Sequence, residues 1–289
     1  LVDTSGQLIA SHAEEYPTQH PKVGWAEQNP SDWRKAMRAA IAALDPARHG
    51  EIVAVCLDSY THGAVLLDGK MNVVRPTIIW TDQRAVAECA ALEPHRDHIF
   101  KVAYQMPAPT WTLPQLMWLR NHEPETLQAT CHVSFVKDYV RYLLTGELAV
   151  DHIEAEGALL LDVENRRWDE SLCEMAGLNA GVLPPIIAPT DVAGRITAAA
   201  ANEFGLPEAC PVVAGASDSA IEGYAAGAVK AGQCILKLAT AGNVNVMTDQ
   251  ARPHPETLTY SHVVPGMSYT VTATSAAAIC QRWYRDLFC

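Results

Sequence analysis

An aspartate where a strand gives way to a helix is the residue of this sequence best placed to do chemistry. Pro211-Val212-Val213-Ala214-Gly215-Ala216-Ser217-Asp218-Ser219-Ala220 reads as strand, tight turn and helix, with Gly215 permitting the turn. Asp218 then lies at a helix N-terminus, where the helix dipole favours an ionised carboxylate. Such a carboxylate facing a cleft can accept a proton from an attacking hydroxyl, an effect worth on the order of 10²–10⁴ in rate. The plainer reading is a helix cap worth about 1 kcal/mol. A second candidate is Ser59-Tyr60-Thr61-His62-Gly63, a polar cluster with a glycine directly after a strand. Open α/β sheets place ligands at such strand ends, although a plain turn with an exposed histidine has the same sequence. The third is Trp111, at a helix entrance in Pro109-Thr110-Trp111-Thr112-Leu113-Pro114. Its ring could stack on the C–H face of a sugar or pack under the helix as core.

The elements that must hold these residues alternate between strand and helix. Ser31 is expected to cap a helix carrying Trp33, Met37, Ile41 and Leu44 at helical spacing. Residues 52–57 read as a buried strand. Residues 64–67 and 73–79 read as a hairpin around Asp68-Gly69. Helices are predicted from near Arg84, over 113–122 with Pro114 in the first turn, and over 137–145 ended by Gly146. Residues 180–194 read as an irregular proline-rich connection. After it come a helix over 198–204, a strand over 212–214 and a small-residue helix over 219–228. Two strand-like runs, 234–238 and 244–247, flank a turn at Thr240-Ala241-Gly242, and 275–288 reads as a helix capped by Ser275. The first residues resemble the second half of a hairpin, with 7–13 as its strand. The last helix carries no stop signal, so both ends predict a piece of a longer protein. Fold class is α/β, with a boundary expected near 229–232.

Composition narrows the function. The 289 residues carry a formal charge of −12 with no basic cluster, which disfavours a nucleic-acid partner but not a locally held nucleotide. No apolar run reaches the length of a membrane span, and the start has no signal-peptide pattern, so a cytoplasmic location is expected. The eight cysteines are scattered without a Cys-x-x-Cys pair, which predicts reduced and mostly buried thiols.

Four segments together resemble the FGGY carbohydrate kinases, most closely the xylulose kinases. Tyr60-Thr61-His62-Gly63 followed by Trp80-Thr81-Asp82-Gln83-Arg84 is similar to that family's Gln-Met-His-Gly turn and Trp-Asn-Asp-x-Arg segment. Gly24-Trp25-Ala26-Glu27-Gln28-Asn29-Pro30 resembles its Gly-Trp-x-Glu-Gln-Asp-Pro segment. Trp111 with Lys137-Asp138-Tyr139-Val140 and Leu144-Thr145-Gly146-Glu147 follows its Thr-x-x-x-Lys-Leu-Leu-Trp-Leu, Lys-Asp-Tyr-Leu and Leu-Thr-Gly-Glu pattern. Asp218-Ser219 stands where the family has Gly-Gly-Gly-Asp-Asn, and Lys237-Leu238-Ala239-Thr240-Ala241-Gly242-Asn243 where it has Leu-Gly-Thr-Ser-Gly.

The resemblance implies an actin-like ATPase (ribonuclease H-like) fold with a sugar-binding domain over 1–230 and the start of a nucleotide-binding domain over 231–289. It implies ATP and Mg²⁺ as cofactors, with metal ligands unknown, and a sugar such as xylulose as partner; a homodimer stays open. Asp218 would be the catalytic base. Thr61, His62, Trp111 and Ser219 would bind sugar, and Thr240 and Gly242 would meet the phosphates. Two departures matter. Ala239 and Ala241 add methyl groups to a turn that must approach phosphate, and Tyr60-Thr61 replaces Gln-Met. Both features keep a catalytically inactive sugar-binding or regulatory module as the alternative.

Overall fold

Local chemistry sets the first helix. In a computed structural model describing residues 1–238, 242–274 and 277–288, Asn29 adopts an extended backbone and its side chain accepts the Ser31 N–H at 3.0 Å. Asn29, not Ser31, is therefore the cap of α1 (Pro30–Ala42), and Pro30 occupies the first turn, where no N–H is needed. The chain then forms β1 (Val55–Ser59), three residues later than the apolar run suggests. Cys56 and Asp58 on β1 are exposed, because β1 is an edge strand with one face left open. β2 (Ala64–Leu67) turns at Asp68-Gly69, but the expected hairpin closes with a single bridge, Leu67 to Val73. Thr77–Ile78 pairs instead with Glu27–Gln28.

Next come α2 (Thr112–His122), β3 (His132–Phe135) and α3 (Val136–Thr145), which ends at Gly146 in the left-handed conformation. β3 lies antiparallel on β2. The short α4 (His152–Glu156) is capped by Asp151, whose carboxylate accepts the N–H groups of Ile153 and Glu154. The segment expected to be irregular carries a short strand at Ile186–Ile187 and β4 (Val192–Arg195). Short strands with few apolar residues give no alternation long enough to read.

β5 (Pro211–Ser217) is the central strand of the sheet β4-β5-β1, antiparallel to β4 and parallel to β1. It runs directly into α5 (Asp218–Ala225). After a turn closed by the Gln233 side chain, which accepts the N–H groups of Val229 and Lys230, four antiparallel strands form a second sheet. These are β6 (Cys234–Leu238), β7 (Gly242–Thr248), β8 (Leu258–Ser261) and β9 (Ser268–Thr274), in the order β6-β7-β9-β8. The exposed helix α6 (Ala278–Phe288) follows. The expected strand over 7–13 is reduced to a bridge between Val2 and Leu8, and the Ser275 cap lies outside the described residues.

The largest core cluster surrounds α2 and the run Ala158–Leu161, and it includes Tyr260, Tyr269 and Met247 of the second sheet. The two sheets thus share apolar packing. Among the described residues the cysteines are free thiols, as expected, but they are not mostly buried: Cys173 and Cys210 are buried and Cys89 is half-buried, whereas Cys56, Cys131, Cys234 and Cys280 are exposed. Their positions on open strand edges, turns and α6 explain this.

One glycine fixes how β5 meets β1. Gly215 has φ +73°, and a Cβ there would lie 1.8 Å from the Leu57 carbonyl oxygen. The register shifts between Val213 and Ala216 at this point. No side-chain rotation relieves a clash with backbone, so Gly215→Ala should cost at least about 2 kcal/mol. Equilibrium urea unfolding would read this as a fall in midpoint. An unchanged midpoint would contradict the close approach.

Candidate active site

β5 and β1 run parallel and end together, with Ala216 opposite Asp58 and Ser217 opposite Ser59. Asp218 is the first residue of α5 beyond that shared end. The N-cap position belongs to Ser217, so Asp218 is not consumed as a cap. Its carboxylate accepts the N–H of Ser219 at 2.7 Å and is exposed. Partial desolvation pushes this carboxyl above its ordinary value. The Ser219 N–H and Lys237 pull it down, while Glu222 and Asp58 raise it further. A carboxyl raised in this way is, in its ionised form, a stronger base than a free one.

His62 sits on a strained turn, φ +76° in a residue with a side chain. Three contacts hold it there. The Thr112 hydroxyl donates to the His62 carbonyl at 2.8 Å, and His62 Nδ1 lies 2.6 Å from the Gly157 carbonyl. The ring rests on Trp111, centroids 4.3 Å apart. Because a carbonyl can only accept, Nδ1 must carry the hydrogen, which leaves Nε2 as a hydrogen-bond acceptor. Burial pushes the His62 imidazole down to about 4, against the pull of the Gly157 carbonyl, so the ring is neutral at physiological pH. Thr61 is half-buried beside it. A Cβ at Gly157 would come within 3.3 Å of Thr61 and 3.4 Å of the His62 ring, so the glycine is what lets α4 approach the turn.

The predicted residues are joined by an aromatic wall. Trp111 stacks on Tyr260 with centroids 6.4 Å apart and planes 14° from parallel, and Tyr260 stacks on Tyr269 at 5.7 Å. The Tyr269 hydroxyl lies 3.3 Å from the Ser219 hydroxyl. His62, Trp111, Ser219 and Asp218 are thereby connected, through two tyrosines in strands β8 and β9 that the pattern of the sequence does not reveal. Trp111 itself is 3% exposed, with His62 and Tyr260 against it, and so has the surroundings of a core tryptophan.

Behind the His62 turn lies a buried charge cluster. Lys137 Nζ reaches Asp138 at 2.7 Å and Asp151 at 2.5 Å, and Arg141 reaches Asp138 at 2.6 Å, all with fully buried side chains. Burial alone would push the Lys137 ammonium down, but Asp138 and Asp151 hold it above its ordinary value. Glu154 adds a third carboxyl, and neither of its oxygens has a hydrogen-bond partner of ordinary geometry. Burial raises it well above the usual carboxylate range, Lys137 and the His62 N–H only partly offsetting this. With Glu154 protonated, two cations face two carboxylates and the cluster is neutral. The sequence shows Lys137, Asp138 and Arg141 on one helix, so their meeting was legible; Glu154 joins them only through the fold.

On the nucleotide side, Thr240 lies outside the described residues. Gly242 opens β7 and is buried; a Cβ there would meet Ala277 at 2.9 Å, so its smallness serves packing between β7 and α6. Among the described residues no group of three or more His, Cys, Asp or Glu side chains is arranged to hold a metal ion. No helix among the described residues is long and apolar enough to cross a membrane.

A parallel strand pair ending at a helix N-terminus, with an acidic residue opening that helix, fits an actin-like ATPase fold. Residues 1–223 match the N-terminal domain of the FGGY family of carbohydrate kinases, and the chain belongs to that family. It is 31% identical over 290 residues to xylulose kinase of Escherichia coli, covering 99% of this chain and 60% of the relative. It is 32% identical over 271 residues to autoinducer-2 kinase of Enterobacter, covering 90% of this chain and 50% of that protein. The crystal structure of a xylulose kinase from Brucella ovis superposes with a TM-score of 0.93 at 31% identity, over 99% of this chain and 60% of that one. The chain thus spans three fifths or less of the length of these relatives.

The state of Glu154 can be tested by stability. Its unfolded value is the ordinary 4.5 and its folded value lies well above that, so the wild type loses stability as pH rises past 4.5 while a neutral glutamine does not. Glu154→Gln should match the wild type near pH 4 and be more stable at pH 8, by about 1–3 kcal/mol. Melting curves at both values check it; a Glu154→Gln protein less stable at pH 8 would mean the carboxylate is ionised and needed.

Proposed function

We propose that this chain forms the sugar-binding part of an ATP-dependent kinase that transfers a γ-phosphoryl group to a hydroxyl of a ketopentose such as xylulose. The single observation that carries this reading is the continuous contact from His62 through Trp111, Tyr260 and Tyr269 to Ser219, ending beside the exposed Asp218. The rings of that wall are buried, so a sugar would sit in front of it, at the half-buried Thr61–His62 turn, with its terminal hydroxyl toward the exposed Asp218. His62 Nε2, as an acceptor, would take a hydrogen bond from another hydroxyl, with Thr61 beside it. Asp218 would accept the proton of the attacking hydroxyl as the oxygen bonds to phosphorus. Phosphoryl transfer asks the protein mainly to position and to stabilise charge. ATP is the donor that the family implies, with the turn containing Thr240 and Gly242 toward its phosphates and Mg²⁺ as the accompanying metal. Residues 1–230 would form the sugar domain and 231–289 the beginning of the nucleotide domain. A cytoplasmic location and a homodimer belong to the same proposal.

Tyr60 and Thr61 bear on the choice of sugar. Tyr60 donates to Gln28 at 2.7 Å, and Gln28 also accepts from the Trp33 indole at 3.1 Å, so Tyr60 is spent on the frame of the turn and leaves the specificity to Thr61. The autoinducer-2 kinase relative makes a small polyhydroxylated acceptor other than a pentulose a second reading. A release assay for ADP on the complete protein, across ketoses, polyols and linear hydroxyketones, separates the two.

Asp218→Asn in the complete protein should bind sugar within about threefold of wild type and lose on the order of 10²–10⁴ in kcat. Turnover close to wild type would remove Asp218 as the base. Absence of ATP affinity with sugar affinity intact would favour the inactive sugar-binding module.

A further inference from the structure

Strand β8 is an edge strand, and its outward backbone groups are taken by side chains of the first 160 residues. Gln105, fully buried, donates its amide to the Thr259 carbonyl and accepts the Thr259 N–H at 3.3 Å. Two residues along, Glu156 accepts the Ser261 N–H at 2.7 Å and the Ser261 hydroxyl at 2.6 Å, and it is 2% exposed. Gln105 and Glu156 thus occupy the places a neighbouring strand would take. Between them Tyr260 points the other way, onto Trp111. Glu156 is the last residue of α4, and the next residue, Gly157, supplies the carbonyl that holds the His62 ring.

We propose that Glu156 is a positioning residue: by latching β8 to the end of α4 it sets the Tyr260–Trp111–His62 stack, and through it the sugar site. This rests on the sugar-kinase reading for its effect on catalysis, but not for the latch itself. The groups facing Glu156 are Ser261 from β8, Asp151 before α4, Arg166, and the neutral Tyr260 and Tyr269. Burial pushes its carboxyl up to about 7; the Ser261 hydrogen bonds pull it down, Asp151 raises it and Arg166 lowers it. The ionised form accepts both Ser261 donors as charge-assisted bonds, whereas protonation weakens that acceptance. The latch is therefore tighter above pH 7 than below it, although the buried charge costs global stability.

The complete protein is assayed from pH 5.5 to 9 as wild type, Glu156→Gln and Ser261→Ala, with xylulose as probe. In the wild type the sugar KM should rise several-fold as pH falls through about 7, with the KM for ATP unchanged. Ser261→Ala should move that midpoint to higher pH, and Glu156→Gln should flatten the profile. A purely structural role would lower the melting temperature and leave the shape of the profile intact, which would overturn the proposal. Amide hydrogen exchange gives a readout free of turnover. At pH 8 the Ser261 amide should exchange at least several-fold faster in Glu156→Gln, with the β7–β9 amides unchanged. Unchanged exchange at Ser261 refutes the latch. Faster exchange in a protein that phosphorylates no sugar sustains the latch and refutes the kinase reading. If Glu156→Gln fails to fold, the Ser261→Ala midpoint decides alone.

Discussion

The site depends on keeping one ammonium group, that of Lys137, in a dry interior. Lys137 is held between Asp138 on its own helix and Asp151 at the cap of α4. Arg141, one turn on, donates to the carbonyls of Ala214 on β5 and Ala149 before α4. Removing one partner from such a cluster leaves an uncompensated charge, a loss of roughly 3–5 kcal/mol. The same four side chains therefore lock α3, β5 and α4 in one arrangement. Gly157, directly after α4, supplies the carbonyl that holds the His62 ring, and β5 ends at Ser217, next to Asp218. Hydrophobic packing could join these elements in several registers; the charges accept one.

A second constraint is the close approach of backbones. Gly215 lets β5 press on β1, and Gly157 lets α4 press on the His62 turn. Both stand close to a residue to which the proposed function gives a chemical role. The front of the domain is tied in a similar way: Glu27 receives Arg75 at 2.6 Å and Arg84 at 2.7 Å, Asp82 takes the Ala26 N–H, and Arg84 lies over Trp25. That cluster explains physically why the Gly-Trp-x-Glu-Gln segment and the Trp-Thr-Asp-Gln-Arg segment occur together. They are two sides of one ion-pair assembly, distant in sequence and joined in space.

Much of the fold could be read from the chain because α1, α3 and α6 are amphipathic and the punctuation is strong, while α2 is buried all round from Thr112 to Leu119. Gly146 ends α3 and Pro114 lies in the first turn of α2, but the turn expected at Gly215 is absent: Gly215 lies inside β5, which continues to Ser217 and runs straight into α5. Short strands were less legible. Ile186–Ile187 is only two residues long inside a proline-rich run, β8 alternates over only four residues, and β1 was displaced by an apolar run at 52–54 that serves as approach, not strand. Of the site, His62 and Asp218 stand out locally, since one needs a turn and the other a helix start. Tyr260, Tyr269, Glu154 and Glu156 could not be found that way. Their significance comes from contacts across more than a hundred residues or from burial, and neither leaves a mark on local spacing.

The side-chain caps on β8 also bear on assembly. An uncovered edge strand offers a ready template for pairing with a strand from another molecule. Gln105 and Glu156 occupy the outward N–H groups of Thr259 and Ser261, so this edge has no free ladder to extend. β1 differs: its outer edge has no strand partner among the described residues, and it carries the exposed Cys56 and Asp58. Of these two edges, β1 is the one that still has backbone groups to offer a further strand.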